Sequence, residues 1–260
     1  MAHPDLHVQF QGDQQQVAIV RLARPAKRNA LNDALVLAIR DTFDTLPASV
    51  RAAVIAGDGD HFCAGLDLSE LSERDAGQGL MHSRMWHAAL ERVQYGPVPV
   101  IAALHGAVVG GGLELASACH IRVADESTFY ALPEGSRGIF VGGGGAVRIP
   151  RLIGAARMTD MMLTGRVYNA ADGERIGLAQ YLVPAGDSFA KALELALRIA
   201  QNAPLTNYAL MHALPRIAEQ PADQGFFTEA MMAAIAQSAP EAKERVRDFL
   251  QGRAAKVQKA

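Results

Sequence analysis

Hydrophobic and polar positions follow two different periods along the first 150 residues. Two apolar-rich runs, 6–11 and 17–22, lie on either side of a Gly-Asp pair and predict a β-hairpin. A helix follows, capped by Asn32 or Asp33, and its apolar residues share one face: Leu35, Val36, Ile39 and Phe43. Further short apolar elements are a helix at 113–118 and buried strands at 52–56, 98–104, 120–124 and 128–132. Strands separated by helices favour parallel pairing with right-handed crossovers, so an α/β fold is predicted.

The pattern changes after about residue 150, where helical spacing dominates. The predicted helices there cover 155–163, 189–201, 205–218, 223–237 and 241–250. Pro215 should kink or end the third of them, because its ring removes a hydrogen bond from the helix interior. We predict an α/β core over residues 1–200 and a helical C-terminal region over 201–260.

Composition narrows the class of protein. The 260 residues are 50% hydrophobic and include 24 glycines and 12 prolines, which excludes a disordered or collagen-like chain. The chain has 25 lysine and arginine residues and 27 acidic residues. Its net charge of −2 argues against electrostatic binding around nucleic acid or to an anionic membrane surface. The two cysteines fit a reducing compartment, and no secretory signal or membrane-spanning run is visible. A cytoplasmic protein is expected.

The first segment that could carry chemistry is His-Phe-Cys-Ala-Gly-Leu-Asp-Leu at 61–68, directly after a predicted strand. Its Ala64-Gly65 pair lets the backbone approach a ligand closely, and free N–H groups there would be donors to an oxyanion. The alternative is an ordinary strand-to-helix turn in which Asp67 serves as a cap. Local spacing leaves both interpretations open.

The second segment is the glycine triplet at 110–112 with Glu114 in the following helix turn. Glycines at a helix start expose unpaired N–H groups and the positive end of the helix dipole, which together bind an anion or a developing enolate oxygen. Glu114 lies between Leu113 and Leu115, where a carboxylate needs hydrogen bonds or a shifted pKa. A simple helix-capping role for Glu114 is the alternative.

The third segment is Ala-Leu-Pro-Glu-Gly at 131–135, which places Glu134 after a predicted strand. Glu114 and Glu134 could converge on one pocket as the acid and base of a proton transfer. Taken alone, Glu134 reads as a surface turn residue. The glycine-rich segment 140–145 that follows indicates another close backbone approach and a helix start.

Other reactive side chains are assigned structural roles. His61, His105 and His120 lie near these segments, but no pair of them has metal-ligand spacing. Cys63, between Phe62 and Ala64, is expected to be a small buried hydrophobe. The sequence contains neither a Gly-x-Ser-x-Gly motif nor a phosphate-binding GxxxxGK[ST] motif, which argues against an α/β-hydrolase and a P-loop nucleotide site.

In this order and spacing, the three segments resemble the crotonase superfamily, also called the enoyl-CoA hydratase/isomerase family. The resemblance covers nearly the whole chain, and its other parts are segments 24–31, 62–65, 121–124, 163–166, 170–171 and 177–178. Within the superfamily, stretches 132–142 and 201–207 are most similar to the methylthioacryloyl-CoA hydratase subfamily, which acts in dimethylsulfoniopropionate breakdown. One departure is Val141, where family members often have proline, and it concerns the path of the loop beside Glu134.

The resemblance implies roles for individual residues. The N–H groups of Leu66 and Gly111 would bind the thioester oxygen, and Glu114 and Glu134 would hold the water that is added. The residues implied in binding the CoA thioester are Arg28, Ala30, Ala64, Leu66, Asp67, Leu68, Gly110, Gly111, Pro133, Glu134 and Gly142. No metal and no cofactor are implied, because CoA is part of the substrate.

The resemblance also implies a ββα superhelix core, with C-terminal helices that assemble the chain into a trimer or a dimer of trimers. Its acyl pocket would accept a short or medium acyl group, with Met81, Met85, Trp86, Leu132 and Phe140 as candidate lining residues. The expected activity is enoyl-CoA hydration, a hydro-lyase reaction, with thioester hydrolysis as a further step in the methylthioacryloyl-like subfamily. The open alternatives are a Δ3,Δ2-enoyl-CoA isomerase, which needs one base, an RNA-binding homologue and a silent acyl-CoA scaffold.

Overall fold

The computed structural model describes residues 3–70 and 73–253. The chain divides into two compact units at the bond between Ala200 and Gln201. The first unit is mixed α/β, as the sequence predicts, and the second is helical.

Two sheets form the strand framework of the first unit. The strands in chain order are β1 Leu6–Gln11, β2 Val17–Leu22, β3 Ala52–Gly57, β4 Val100–Leu104, β5 Ala107–Val109, β6 Ile121–Asp125, β7 Phe129–Ala131, β8 Tyr168–Asn169 and β9 Tyr181–Val183. One sheet has the order β1-β2-β3-β4-β6-β9, and the other has the order β5-β7-β8. The β1–β2 pair is antiparallel, which confirms the predicted hairpin, and the remaining pairs of the larger sheet are parallel.

Helices cover both faces of the larger sheet. Those of the first unit are α1 Asp33–Asp44, α2 Ala76–Gln94, α3 Gly111–Ala118, α4 Gly145–Ile153, α5 Ala155–Thr164, α6 Ala170–Ile176 and α7 Ser188–Ala200. Helix α1 begins as predicted, because the side chain of Asn32 accepts a hydrogen bond from the Leu35 N–H at 2.8 Å. Helix α4 begins at Gly145, where the sequence predicts a helix start, whereas α2 and α6 are absent from the sequence-based prediction.

Alternate residues of the central strands enter two separate apolar clusters. Ala53 and Ile55 of β3 join the cluster that contains the apolar face of α1, whereas Val54 joins the cluster that contains residues of α7. Since neither face of β3 is open to solvent, all six of its positions are buried. This two-sided burial is why the parallel strands read as uninterrupted apolar runs in the sequence.

The second unit contains four α-helices among its described residues, α8 Pro204–Tyr208, α9 Leu214–Ile217, α10 Ala222–Ser238 and α11 Pro240–Leu250. The predicted helix 205–218 is wrong as a continuous α-helix, because a π-helical segment, Ala209–Ala213, separates α8 from α9. Pro215 lies just beyond it and offers no N–H to the preceding turn, which fits the predicted interruption. Across the described residues, none of the helices is both long and apolar enough to span a membrane.

Candidate active site

A cavity of about 520 Å³ opens where the three glycine-rich segments of the first unit meet. Both predicted glutamates, Glu114 and Glu134, line it together with Leu66 and Gly111. The structure therefore brings to one place four residues from three separate segments of the sequence.

The backbone nitrogens of Leu66 and Gly111 lie close together at the junction of segment 61–68 and α3. The segments are held together by hydrogen bonds from Cys63 N to Ala107 O at 2.9 Å and from Val109 N to Cys63 O at 3.1 Å. A Cβ built on Gly111 would lie only 3.5 Å from the nitrogen of Leu66. Neither the Leu66 nor the Gly111 N–H donates a hydrogen bond to any described part of the chain. The pair is thus free to bind an oxygen atom that acquires negative charge.

Glycine is required at this junction for steric reasons. Gly110, the residue before α3, has φ +53°, a left-handed value that side chains other than glycine rarely adopt. A Cβ on Gly112 would lie 2.3 Å from the carbonyl oxygen of Cys63, and one on Gly110 would lie 2.7 Å from Oε1 of Glu134. The glycine triplet therefore permits the contact with segment 61–68 and leaves room for the Glu134 carboxylate.

Glu114 is held by the loop that leads into α4. Its Oε1 accepts hydrogen bonds from the N–H groups of Gly143 and Gly145, both at 2.8 Å. Burial raises the pKa of Glu114 to about 7, and the two N–H donors oppose this shift. The charge of Glu134 raises the pKa further, and that of Arg148 lowers it. A carboxyl group with a pKa near neutrality can exchange a proton at the pH of the cell.

Glu134 has a different environment. It begins the short 3₁₀ turn Gly135–Arg137, and its backbone carbonyl accepts a hydrogen bond from the Arg137 N–H at 3.0 Å. Its Oε2 is buried and has no hydrogen-bond partner among the described residues. Burial raises the pKa of Glu134, and its own backbone N–H and the charge of Arg137 oppose that shift. The side chain is therefore easier to protonate than an ordinary glutamate.

The residues predicted to bind the CoA thioester fall into two groups. Four of them line the cavity, namely Leu66, Gly111, Glu134 and Gly142. The predicted catalytic residue Glu114 lines it as well. The remaining ones do not line it: Arg28, Ala30, Ala64, Asp67, Leu68, Gly110 and Pro133. Among the candidates for the acyl pocket, Trp86 and Phe140 line the cavity, whereas Met81, Met85 and Leu132 do not.

Several of the residues that do not line the cavity join segment 28–31 to segment 64–67 beside it. Backbone hydrogen bonds join Leu31 N to Gly65 O at 2.7 Å, Asp67 N to Leu31 O at 2.8 Å and Ala64 N to Arg28 O at 2.9 Å. The Asp67 carboxylate is already engaged, with Arg24 at 2.9 Å and Lys27 at 3.0 Å. Hydrogen bonds from Ser69 and Lys27 hold the pKa of Asp67 well below its usual range. The Asp67 side chain thus links segment 64–67 to Arg24 and Lys27.

The residues that support the Gly142–Gly145 loop were not predicted from the sequence. Ser83 Oγ donates a hydrogen bond to Gly142 O at 2.6 Å, and Arg148 Nη1 donates one to Gly143 O at 3.0 Å. Arg148 Nε also donates to Gln94 Oε1 at 2.6 Å. The only sequence signal for Ser83 is its spacing of four from His87, which has meaning only once α2 is known to be a helix.

The reactive side chains assigned structural roles are bonded within the fold. His61 Nδ1 accepts the Ala107 N–H at 3.1 Å, and His120 Nδ1 accepts the Val100 N–H at 3.0 Å. His105 Nε2 lies 3.0 Å from Gly59 O. Cys63 is fully buried, and burial raises the pKa of its thiol to about 12, so it is not a thiolate nucleophile at neutral pH.

Comparisons with known proteins agree on one family. A family model described as enoyl-CoA hydratase/isomerase matches residues 12–259. The 2,3-dehydroadipyl-CoA hydratase of Escherichia coli is 33% identical over 244 residues, covering 92% of this chain and 94% of its own. Enoyl-CoA hydratase EchA19 of Mycobacterium tuberculosis is 31% identical over 260 residues, covering 98% of this chain and 97% of its own. A crystal structure of a candidate enoyl-CoA hydratase from Rhodopseudomonas palustris is 60% identical, with a TM-score of 0.92 and 95% of each chain covered.

Proposed function

Because the chain belongs to the enoyl-CoA hydratase/isomerase family, we propose that it adds water across the α,β double bond of a short or medium enoyl-CoA thioester. One observation carries this proposal. Two glutamates with raised pKa values share a cavity with two free backbone N–H groups. Water addition to a conjugated thioester needs both parts, a base and an acid for the protons and donors for the oxygen that gains charge.

The thioester oxygen binds between the N–H groups of Leu66 and Gly111 in the proposed reaction. Gly111 is the first residue of α3, so the positive end of the helix dipole adds to the attraction. As water attacks the β-carbon, negative charge moves onto this oxygen, where both donors stabilise it. Losing one such donor typically costs about 10²–10³ in rate.

Glu114 and Glu134 take different roles because their environments differ. Two N–H donors on Oε1 of Glu114 favour its ionised form, which can remove a proton from the bound water. Glu134 Oε2 is buried and has no such donor among the described residues, and in this proposal Glu134 carries the proton that is delivered to the α-carbon. The reaction needs no metal and no cofactor, because CoA is part of the substrate.

The finer proposal concerns the acyl group. Stretches 132–142 and 201–207 resemble the methylthioacryloyl-CoA hydratase subfamily, so we include methylthioacryloyl-CoA, followed by thioester hydrolysis and release of methanethiol, as a candidate reaction. Trp86 and Phe140 on the cavity wall offer apolar surface for a small acyl group.

A comparison of three substrates tests the activity. We expect purified protein to remove the enoyl-thioester absorbance of crotonyl-CoA, acryloyl-CoA or methylthioacryloyl-CoA, measured together with release of free thiol. Loss of absorbance without thiol indicates a hydratase alone. Thiol released only from the sulfur-containing substrate indicates the subfamily reaction. Tight binding of CoA with no turnover of any substrate would contradict the proposed function and favour a silent scaffold.

An RNA-binding role has less support. Such a role needs a helix face rich in lysine or arginine with aromatic side chains between them. The charged residues of α1 are Asp33, Arg40, Asp41 and Asp44, and Arg40 already pairs with Asp41 at 2.7 Å. The proposal therefore includes neither nucleic acid nor a membrane as a partner, and it retains the cytoplasmic location.

We also propose that the unit Gln201–Ala260 assembles the chain into a trimer or a dimer of trimers. Large apolar side chains of this unit are open to solvent in the single chain, among them Phe226, Phe227, Phe249 and Leu250, which are 70–76% exposed. Several large apolar side chains with this exposure in one unit favour a protein interface. Light scattering in solution should give the mass of three or six protomers, and a mass of 27.7 kDa would contradict the assembly.

A further inference from the structure

Helix α2 directs a row of polar side chains at the loop that holds Glu114. Ser83, His87 and Glu91 are spaced by four residues and so lie on one face of the helix. Ser83 Oγ donates a hydrogen bond to Gly142 O at 2.6 Å, and His87 Nε2 lies 3.3 Å from the same Oγ.

The direction of these hydrogen bonds follows from the number of protons available. A serine hydroxyl has one proton, and that of Ser83 is used on the Gly142 carbonyl. His87 must therefore donate its Nε2 proton to Ser83, which assigns the tautomer of the ring. Burial lowers the pKa of His87 and the charges of Arg84 and Arg148 add to this, whereas Glu91 and a hydrogen bond to the Gly142 backbone oppose it.

The hydrogen bonds continue through a single peptide group. The Gly142 carbonyl and the Gly143 N–H belong to the same peptide plane, and that N–H donates to Glu114 Oε1 at 2.8 Å. A hydrogen bond received by a peptide carbonyl polarises the group and strengthens the bond that its N–H donates. His87, Ser83, the 142–143 peptide and Glu114 thus form one chain of hydrogen bonds.

We propose that Ser83 and His87 are positioning residues that stabilise the ionised form of Glu114 through the peptide between Gly142 and Gly143. This inference rests on the proposed function, in which Glu114 is the base. His87 does not line the cavity, and Ser83, which does, acts in this proposal through the Gly142 carbonyl.

Other charged groups also shift the pKa values of Glu114 and His87. Glu134 and Arg148 act on Glu114, and Arg148 also supports the next peptide through its bond to Gly143 O. Arg84, Arg148 and Glu91 act on His87. Substitution of Ser83 leaves all of these charges in place, so its effect reports on the hydrogen bond to the Gly142 carbonyl.

The test uses Ser83→Ala, with Ser83→Thr as the variant that restores a hydroxyl. For Ser83→Ala we expect kcat for crotonyl-CoA hydration to fall roughly 10-fold, with KM within about twofold, because a weakened base slows the chemical step. The acid limb of kcat/KM should move upward by roughly half a pH unit, because a carboxylate that loses hydrogen-bond support has a higher pKa. Ser83→Thr should recover most of both effects.

Two further variants separate a hydrogen-bond relay from general damage. Ser238 donates a similar bond, from Oγ to Ile235 O at 2.7 Å in α10, so Ser238→Ala is the matched control and should behave as the unmodified protein. His87→Phe should shift the acid limb in the same direction by a smaller amount. In the double variant with Ser83→Ala, His87→Phe should add less than it does alone, because both residues act on the Gly142 carbonyl.

A substrate-free measurement keeps this inference distinct from the proposed function. Infrared titration of protein labelled with ¹³C-glutamate reports the pKa of Glu114 directly, with Glu114→Gln identifying its band. Ser83→Ala should raise that pKa whether or not the protein hydrates crotonyl-CoA. An unchanged titration in both Ser83→Ala and His87→Phe would overturn the inference, and absence of hydration by the unmodified protein would instead overturn the proposed function.

Discussion

Glu114→Gln is expected to lower kcat for crotonyl-CoA hydration by about 10³-fold, within the range seen when a general base is removed. The glutamine side chain keeps an oxygen that can accept the N–H groups of Gly143 and Gly145, so the loop into α4 should hold its place. KM should stay within a few fold, because the Leu66 and Gly111 donors are untouched. Stopped-flow loss of enoyl-thioester absorbance measures both constants.

The pH dependence of this variant follows from the sign of the pKa shift. Burial raises the pKa of Glu114 from 4.5 to about 7, so in the unmodified protein activity should fall as the pH drops below about 7 and the base is protonated. For stability, the ionised form is disfavoured in the folded state, so stability is lost as the pH rises from 4.5 through 7. Glu114→Gln removes that loss, and its Tm at pH 8 should equal or exceed that of the unmodified protein.

An exposed glutamate provides the matched control. Glu126 follows β6 at the surface, and Glu126→Gln makes the same chemical change without affecting kcat. Hydration by Glu114→Gln at the unmodified rate would contradict the assigned base. A different outcome would support the Δ3,Δ2-isomerase alternative. In that outcome the unmodified protein shows no hydration, and Glu114→Gln isomerises a Δ3-enoyl-CoA as fast as the unmodified protein does.

The parts of the fold and site that the sequence predicts are those with a local signal. The strands β3 and β4 are recognisable because burial on both faces makes their residues apolar in succession. The free N–H groups before Glu114 are predictable because consecutive glycines at a helix start leave backbone donors unpaired. Both signals lie within about ten residues of the feature that they predict.

The parts that could not be predicted depend on contacts between distant segments. Helix α2 buries only a few apolar residues near its C-terminal end, so most of its sequence lacks an apolar stripe. The hydrogen bonds that connect Arg148 and Ser83 to Glu114 run through the loop 142–145, and no periodicity in the sequence indicates them. The close approach of Gly65 to Gly111 likewise becomes visible only when both segments are folded.

The close packing of Gly112 against Cys63 leads to the second large effect. A Cβ at position 112 would lie 2.3 Å from Cys63 O and 2.8 Å from Cys63 Cβ, and Cys63 is fully buried. Cys63 has little freedom to move, because its N–H and carbonyl are bonded to Ala107 and Val109. In Gly112→Ala, the start of α3 and segment 61–68 must therefore move apart.

This separation should affect stability and catalysis together. We expect Gly112→Ala to lower the free energy of unfolding by about 3 kcal/mol, the cost of overpacking a rigid site, measured by urea denaturation. Because the Leu66 and Gly111 N–H groups would no longer meet at one oxygen, kcat should fall by about 10²–10³-fold in the fraction that stays folded at low temperature.

Gly225→Ala in α10 is the matched control for the added methyl group. Its nearest neighbour would be Ile217 O at 3.4 Å, an ordinary contact, so kcat should be unchanged and the free energy of unfolding should stay the same or rise by up to about 1 kcal/mol, because alanine favours a helix over glycine. A folded Gly112→Ala protein that kept the unmodified kcat would show that the two N–H groups need not stay together. The oxyanion site would then have to lie elsewhere in the cavity, whereas a loss of kcat with binding of CoA retained ties catalysis to the junction of Leu66 and Gly111.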